Sequence, residues 1–224
     1  MLAQVQVLHR VSELPARNSA RSNDSLSAMF DMTGATMMFR RDEEIYGEGE
    51  NAEYLYRVKS GCVRTYKILA DGRRQIGAFY LPGDIFGVDD VKTHQFSAEA
   101  VHPTAVALIK RSIIETRVLR DTTLARQMLN LTMSELHRAQ SHILLLIKSA
   151  RERVASFLLE MASRKHDDSE VELPMSRQDI ADYLGLTIET VSRTLTQLEN
   201  ASTIALPTSR RIILRNQAAL ARLD

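Results

Sequence analysis

The sequence predicts an α+β chain: an N-terminal antiparallel β-roll, a long central helix and a C-terminal winged helix-turn-helix. Three observations carry this. Between about residues 30 and 115, short β-like runs are broken at Ser60-Gly61, Asp71-Gly72 and Pro82-Gly83, and regularly punctuated short strands argue a roll or barrel. From about 118 to 147 the apolar period becomes helical. Beyond 175, two short helical patterns meet at Gly185 and are followed by a pair of β runs.

Residues 1–28 are polar and rich in Ser, Arg and Asn, without a sustained period, and are expected to form a flexible tail. Residues 29–117 form the roll. Its strands lie in YLYRVKSGCVRTYKILADGRRQIGAFYLPGDIFG (54–87) and TAVALIK (104–110). Asp71-Gly72 suits a hairpin turn because glycine accepts positive φ. YGEG at 46–49 is not a phosphate loop, since it lacks a third glycine and no helix follows.

Residues 118–147 are expected to form one helix of ~45 Å. Leu129, Met133, Leu136, Gln140, Ile143 and Ile147 recur four and three apart, a coiled-coil seam with one polar member. Leu124, Met128, Leu131 and Leu145 lie on another face. Two apolar stripes let a helix pack on its own domain and on a partner. The alternative is a long helix buried inside one chain. A helix that outruns a small roll favours a homodimer through the seam.

Residues 148–224 are expected to form the winged helix-turn-helix. A helix in ARERVASFLLEMASRK, a polar linker HDDSE and a short strand VELP lead into MSRQDIADYLGLTIETVSRTLTQLE. Ser176 is an N-cap, with Asp179 at capping-box spacing. Ile180 and Leu184 point to a core, and Gly185 permits a left-handed turn. Thr187 caps a second helix with Val191, Leu195 and Leu198 as its buried stripe. Glu189, Ser192, Arg193 and Thr196 form the opposite stripe, with Ile188 at its edge.

In a helix-turn-helix the start of the second helix enters the DNA major groove. Arg193 can pair bidentately with guanine, Glu189 can accept from a cytosine amino group, and Ile188 and Ser192 can meet thymine methyls and polar edges. Glu189 and Arg193, four apart, are expected to brace each other. The β runs TIAL and RIILR around PTSR make a wing. Arg210, Arg211 and Arg215 in it are expected at phosphates, as are Ser176, Arg177, Gln178, Thr187 and Thr190 around the helix starts.

Composition narrows the classes. The net charge of +1 means that any nucleic acid is held by a few placed cations. One cysteine, Cys62, excludes an internal disulfide and an all-cysteine cluster within one chain. No metal or other cofactor is expected from six scattered histidines. An enzyme of the cupin type would need a His/Glu cluster on the strands, and the roll holds only His94 and His102. No apolar run is long enough to span a membrane and no secretory signal is visible, so a cytoplasmic location is expected.

From about residue 35 to 216 the chain resembles the cAMP receptor protein / fumarate-nitrate reduction regulator superfamily. SGCVRTYK…DGRRQIGAFYLPGDIFG looks like its cyclic-nucleotide-binding-like roll, and ILLLIKSARERVASFLLEMASR like its dimer helix and hinge. MSRQDIADYLGLTIETVSRTLTQLE is the most specific match. Glu189, Ser192 and Arg193, in the form E-x-x-S-R, resemble the fumarate-nitrate branch and its FixK relatives. The resemblance implies a homodimer on palindromic promoter DNA with TTG and CAA outer triplets. It also implies RNA polymerase as a partner, and target genes for microaerobic respiration, denitrification or nitrogen fixation. The iron–sulfur branch has a cysteine cluster near the N-terminus that is missing here. Where cyclic-nucleotide members present Gly-Glu and Arg-Ser/Thr-Ala, this chain reads Gly87-Val88 and Phe96-Ser97-Ala98. Phe96 cannot pair with a phosphate, so the roll is expected to work without an effector. The alternative is a regulator of the same family that depends on a cyclic nucleotide or another ligand.

Overall fold

The computed structural model describes residues 25–89, 92–165 and 169–223. The tail expected over 1–28 lies mostly outside them. Its last four residues instead open a helix, α1 (Ser25–Thr33). Leu26, Met29 and Phe30 are buried on it against Leu55, Ile109 and Leu124. Three apolar side chains at helical spacing, worth about 1.5–3 kcal/mol each when buried, hold the helix to the roll.

The roll is two four-stranded antiparallel sheets. One orders β1 (Ala35–Phe39), β8 (Thr104–Lys110), β3 (Tyr54–Ser60) and β6 (Ile85–Phe86). The other orders β2 (Glu44–Tyr46), β7 (Ser97–Ala100), β4 (Val63–Ile68) and β5 (Arg74–Tyr80). The β4–β5 hairpin turns at Asp71-Gly72 as expected, with Gly72 at φ 82°. Aromatic rings fill the space between the sheets. Tyr46 stacks on His94 at 3.6 Å and Tyr56 on Phe86 at 5.1 Å.

Cys62 sits between β3 and β4, fully buried, and burial pushes its thiol up to about 12. A thiol that stays protonated is a poor nucleophile. Ellman's reagent should therefore leave the folded protein unmodified and react after urea unfolding. Fast modification of the native state would contradict this placement.

The helix expected over 118–147 starts four residues late and ends one residue early, and a helix that was not expected precedes it. α2 (Arg111–Val118) ends before Asp121, and α3 spans Thr122–Leu146. Asp121 restarts the helix, its carboxylate accepting from the amides of Thr123 (2.9 Å) and Leu124 (3.0 Å). At about 37 Å, α3 still outruns the roll. Its Leu124–Leu145 stripe packs inward as read: Leu124 and Leu145 are buried, and Met128 and Leu131 flank the α1 cluster. Tyr80 donates to Glu135 (3.1 Å) and Arg138 lies 5.3 Å over the Tyr80 ring, seating α3 on the sheet.

The C-terminal part follows the expected order: α4 (Ala150–Lys165), β9 (Glu170–Glu172), α5 (Arg177–Leu184), α6 (Ile188–Asn200), β10 (Ile204–Ala205) and β11 (Arg211–Leu214). β11 pairs with β10 on one side and β9 on the other. A last helix not foreseen, α7 (Gln217–Ala221), is capped by Asn216 and buries Leu220. Among the described residues no helix is long and apolar enough to cross a membrane.

Candidate nucleic-acid interface

Local chemistry builds the two helices. The Ser176 hydroxyl accepts from the Asp179 amide (3.1 Å), and the Asp179 carboxylate accepts from the Ser176 amide (3.0 Å), completing the capping box. Gly185 ends α5 in the left-handed conformation at φ 61°, ψ 40°. Two residues later the Thr187 hydroxyl accepts from the Thr190 amide (3.2 Å) and starts α6. Ile180 and Leu184 of α5 and Val191, Leu195 and Leu198 of α6 are all buried, in one core with Phe157, Leu158 and Met161 of α4.

That packing decides what faces outward. Glu189, Arg193 and Thr196 are exposed, Ser192 is half-buried, and Ile188 stands at the rim with 36% exposure. The expected brace between Glu189 and Arg193 is not formed, and no ion pair joins them among the described residues. The Glu189 carboxyl instead accepts from its own amide and from the Thr187 side chain, which holds it below the usual carboxylate range. Amides at a helix start attract a carboxylate more directly than a solvated guanidinium one turn away. Among the described residues Arg193 has no carboxylate partner, so its five donors remain available.

The flanking residues are placed unevenly. Ser176 and Arg177 are half-buried at the start of α5, and Thr190 is half-buried with its hydroxyl 3.1 Å from that of Thr187. Gln178 is exposed, but its amide nitrogen donates along the helix to Asp182 (2.7 Å). In the wing Arg210 and Arg215 are exposed. Arg211 is exposed as well and pairs with Glu170 of β9 (2.7 Å). A phosphate contact by Arg211 would have to share that guanidinium.

Sequence reasoning missed one neighbour. The β4–β5 hairpin of the roll reaches this site, and Arg73 and Gln75 line one groove with Gln178, Thr187 and Glu189. No local signal in either segment announces a contact between residues more than a hundred positions apart.

Away from the reading helix, the seam residues Leu129, Met133, Leu136, Gln140 and Ile143 form an exposed row on α3, with Leu129 60% and Ile143 64% exposed. Ile147 extends the row from the C-cap position just past the helix. In the roll, the Phe96 ring lies over Gly77, where an added Cβ would come within 3.1 Å of it. Val88 is partly buried against the α1–α3 cluster.

Two domain families match in series. The cyclic nucleotide-binding domain covers residues 36–121, and the Crp-like helix-turn-helix domain covers residues 152–223. The nitrogen fixation regulation protein FixK of Azorhizobium caulinodans is 50% identical over 215 residues, 93% of this chain and 85% of that one. This chain belongs to the CRP/FNR family of regulators. Among its members, FixK of Rhizobium meliloti is 42% identical over 186 residues, 83% of this chain and 85% of that protein. The structure of FixK2 from Bradyrhizobium japonicum superposes with a TM-score of 0.83 at 50% identity, over 86% of this chain and 98% of that one. The two matched domains are joined here by α3, and the exposed row on α3 falls between them.

Proposed function

We propose that the protein is a transcriptional regulator of the FixK type that binds promoter DNA as a homodimer, on a TTG-N8-CAA palindrome, without a small-molecule effector. The carrying observation is the outward row Ile188, Glu189, Ser192 and Arg193 at the start of a helix whose other face is locked in the core. Two such helices, brought together by the α3 row, would meet half-sites about one duplex turn apart. Ser176, Arg177, Gln178, Thr187, Thr190, Arg210, Arg211 and Arg215 then supply the phosphate contacts that set orientation and carry no sequence information. Effector independence is supported by the roll, where rings fill the interior and Phe96 packs on β5. A cyclic phosphate buried there would lack a cationic partner, which costs several kcal/mol by order of magnitude. The relatives' names speak of nitrogen fixation regulation; to this we add activation of such genes, with RNA polymerase as the partner in the cytoplasm.

The test is a titration of purified protein, without additives, onto the palindrome and onto a scrambled duplex. Binding to the palindrome should be at least about a thousandfold tighter, and cAMP should change neither affinity. Equal affinities would refute sequence reading. A tenfold tightening by cAMP would assign the roll a working ligand.

A further inference from the structure

The sheet β4–β5 carries two arginines that leave the roll and end on the helix-turn-helix. Arg64 is almost fully buried. It donates to Glu99 of β7 (2.6 Å), to Asp42 (2.9 Å) and, across the domains, to Asp179 (2.9 Å). Arg74 donates to Asp182 (2.8 Å) and to the same oxygen of Asp179 (2.7 Å), with Glu99 at 3.4 Å. Asp179 is 3% exposed and is also the capping-box carboxylate. One side chain therefore both starts α5 and fastens it to the roll.

The other end of α5 is held too. The Tyr183 carbonyl accepts from Gln75 of β5 (3.3 Å) and lies 2.8 Å from His142 of α3, whose ring stacks on that of Tyr183 at 4.2 Å. Arg153 of α4 donates to the Leu184 carbonyl (2.8 Å). α5 is thus gripped at its N-terminus by the roll and at its C-terminus by the roll, α3 and α4. The reading face of α6 stays outside this grip, with Glu189 and Arg193 exposed. Buried ion pairs add little net stability, but they discriminate sharply between geometries, because parting them strands charges.

We propose that Arg64 and Arg74 are positioning residues for DNA binding. They key α5 to the roll in one orientation, so that the two reading helices of a dimer stand at half-site spacing with no ligand to set them. This rests on the homodimeric reading given above. Parting the key should leave each head able to read a triplet but should let the pair lose its spacing.

The test compares the wild type with Arg74→Ala, the milder Asp182→Asn, and the charge-conserving Arg74→Lys. Each is titrated onto the palindrome and onto a duplex with a single TTG half-site. Sedimentation confirms the dimer, and near-ultraviolet circular dichroism confirms the fold. Arg74→Ala should lose at least tenfold on the palindrome and less than twofold on the half-site. Asp182→Asn should lose in the same sense, and Arg74→Lys, which keeps a cation beside Asp179 and Asp182, should lose less than Arg74→Ala. Should Arg74→Ala misfold, Asp182→Asn alone decides by the same two duplexes. Unchanged or tighter palindrome binding by folded Arg74→Ala or Asp182→Asn would overturn the proposal, as would an equal loss on both duplexes. A wild type that ignores the palindrome would defeat the DNA-binding reading itself, and the positioning role with it. A wild type that binds while its variants bind equally well defeats only the positioning role.

Discussion

Arg193→Ala should cost roughly 1–3 kcal/mol on the TTG-N8-CAA duplex and relax the preference at the guanine of TTG. The expectation rests on an exposed guanidinium with no carboxylate partner among the described residues, one turn beyond Glu189 on the outward row of α6. Its bidentate fork matches guanine O6 and N7, and alanine removes both bonds. Arg211→Ala provides the contrast. Binding should weaken about equally on all sequences, and the salt slope should fall by about one, because a phosphate contact releases a counterion and reads no base. The pair with Glu170 of β9 bears on the same contrast, since Arg211→Ala also removes a cation from beside that carboxylate. Titrations of both variants on specific and scrambled duplexes at two salt concentrations separate the cases. An equal loss by Arg193→Ala on both duplexes would mean that α6 does not read bases.

The second large effect is on assembly. Ile143 is 64% exposed in the single chain, so glutamate there should leave the fold of one copy intact. Across a two-fold seam it would place two unpaired charges in an apolar contact. At about 2 kcal/mol or more for each, the dimer dissociation constant should rise by at least about three orders of magnitude. Sedimentation velocity should then show a monomer at micromolar concentration, and palindrome binding should fall with it. An undisturbed dimer would place the interface elsewhere on the molecule.

What could be read from the chain in advance divides by the range of the forces involved. The α5–α6 unit was legible because its signals are local. Ser176 and Asp179 lie three residues apart, Gly185 supplies its own left-handed turn, and the burial of Val191, Leu195 and Leu198 follows from a 3.6-residue period. α2 was missed because its eight residues bury only Ile114, and the later start of α3 because the Asp121 cap, not the apolar period, sets it. α1 and α7 were missed because a helix of one or two turns presents too few apolar positions to establish a period. The Glu189–Arg193 brace failed because the nearer backbone amides compete for the same carboxylate. Arg64 and Arg74 read as ordinary cations on strands. Only the folding of β4 and β5 against α5 brings them to Asp179, more than a hundred residues away.

The sealed thiol of Cys62 has a practical corollary for spectroscopy. With the chain's only native cysteine out of reach, any cysteine introduced on the surface becomes the address for a dye. Lys59 at the end of β3 and Gln197 on α6 are both exposed, one on each domain. A donor and acceptor attached at Lys59→Cys and Gln197→Cys, diluted into unlabelled chain so that each dimer carries at most one labelled copy, would report the separation of roll and reading helix in solution. The width of the energy-transfer distribution, narrow for a keyed head and broad for a swinging one, would be read from single molecules before any DNA is added.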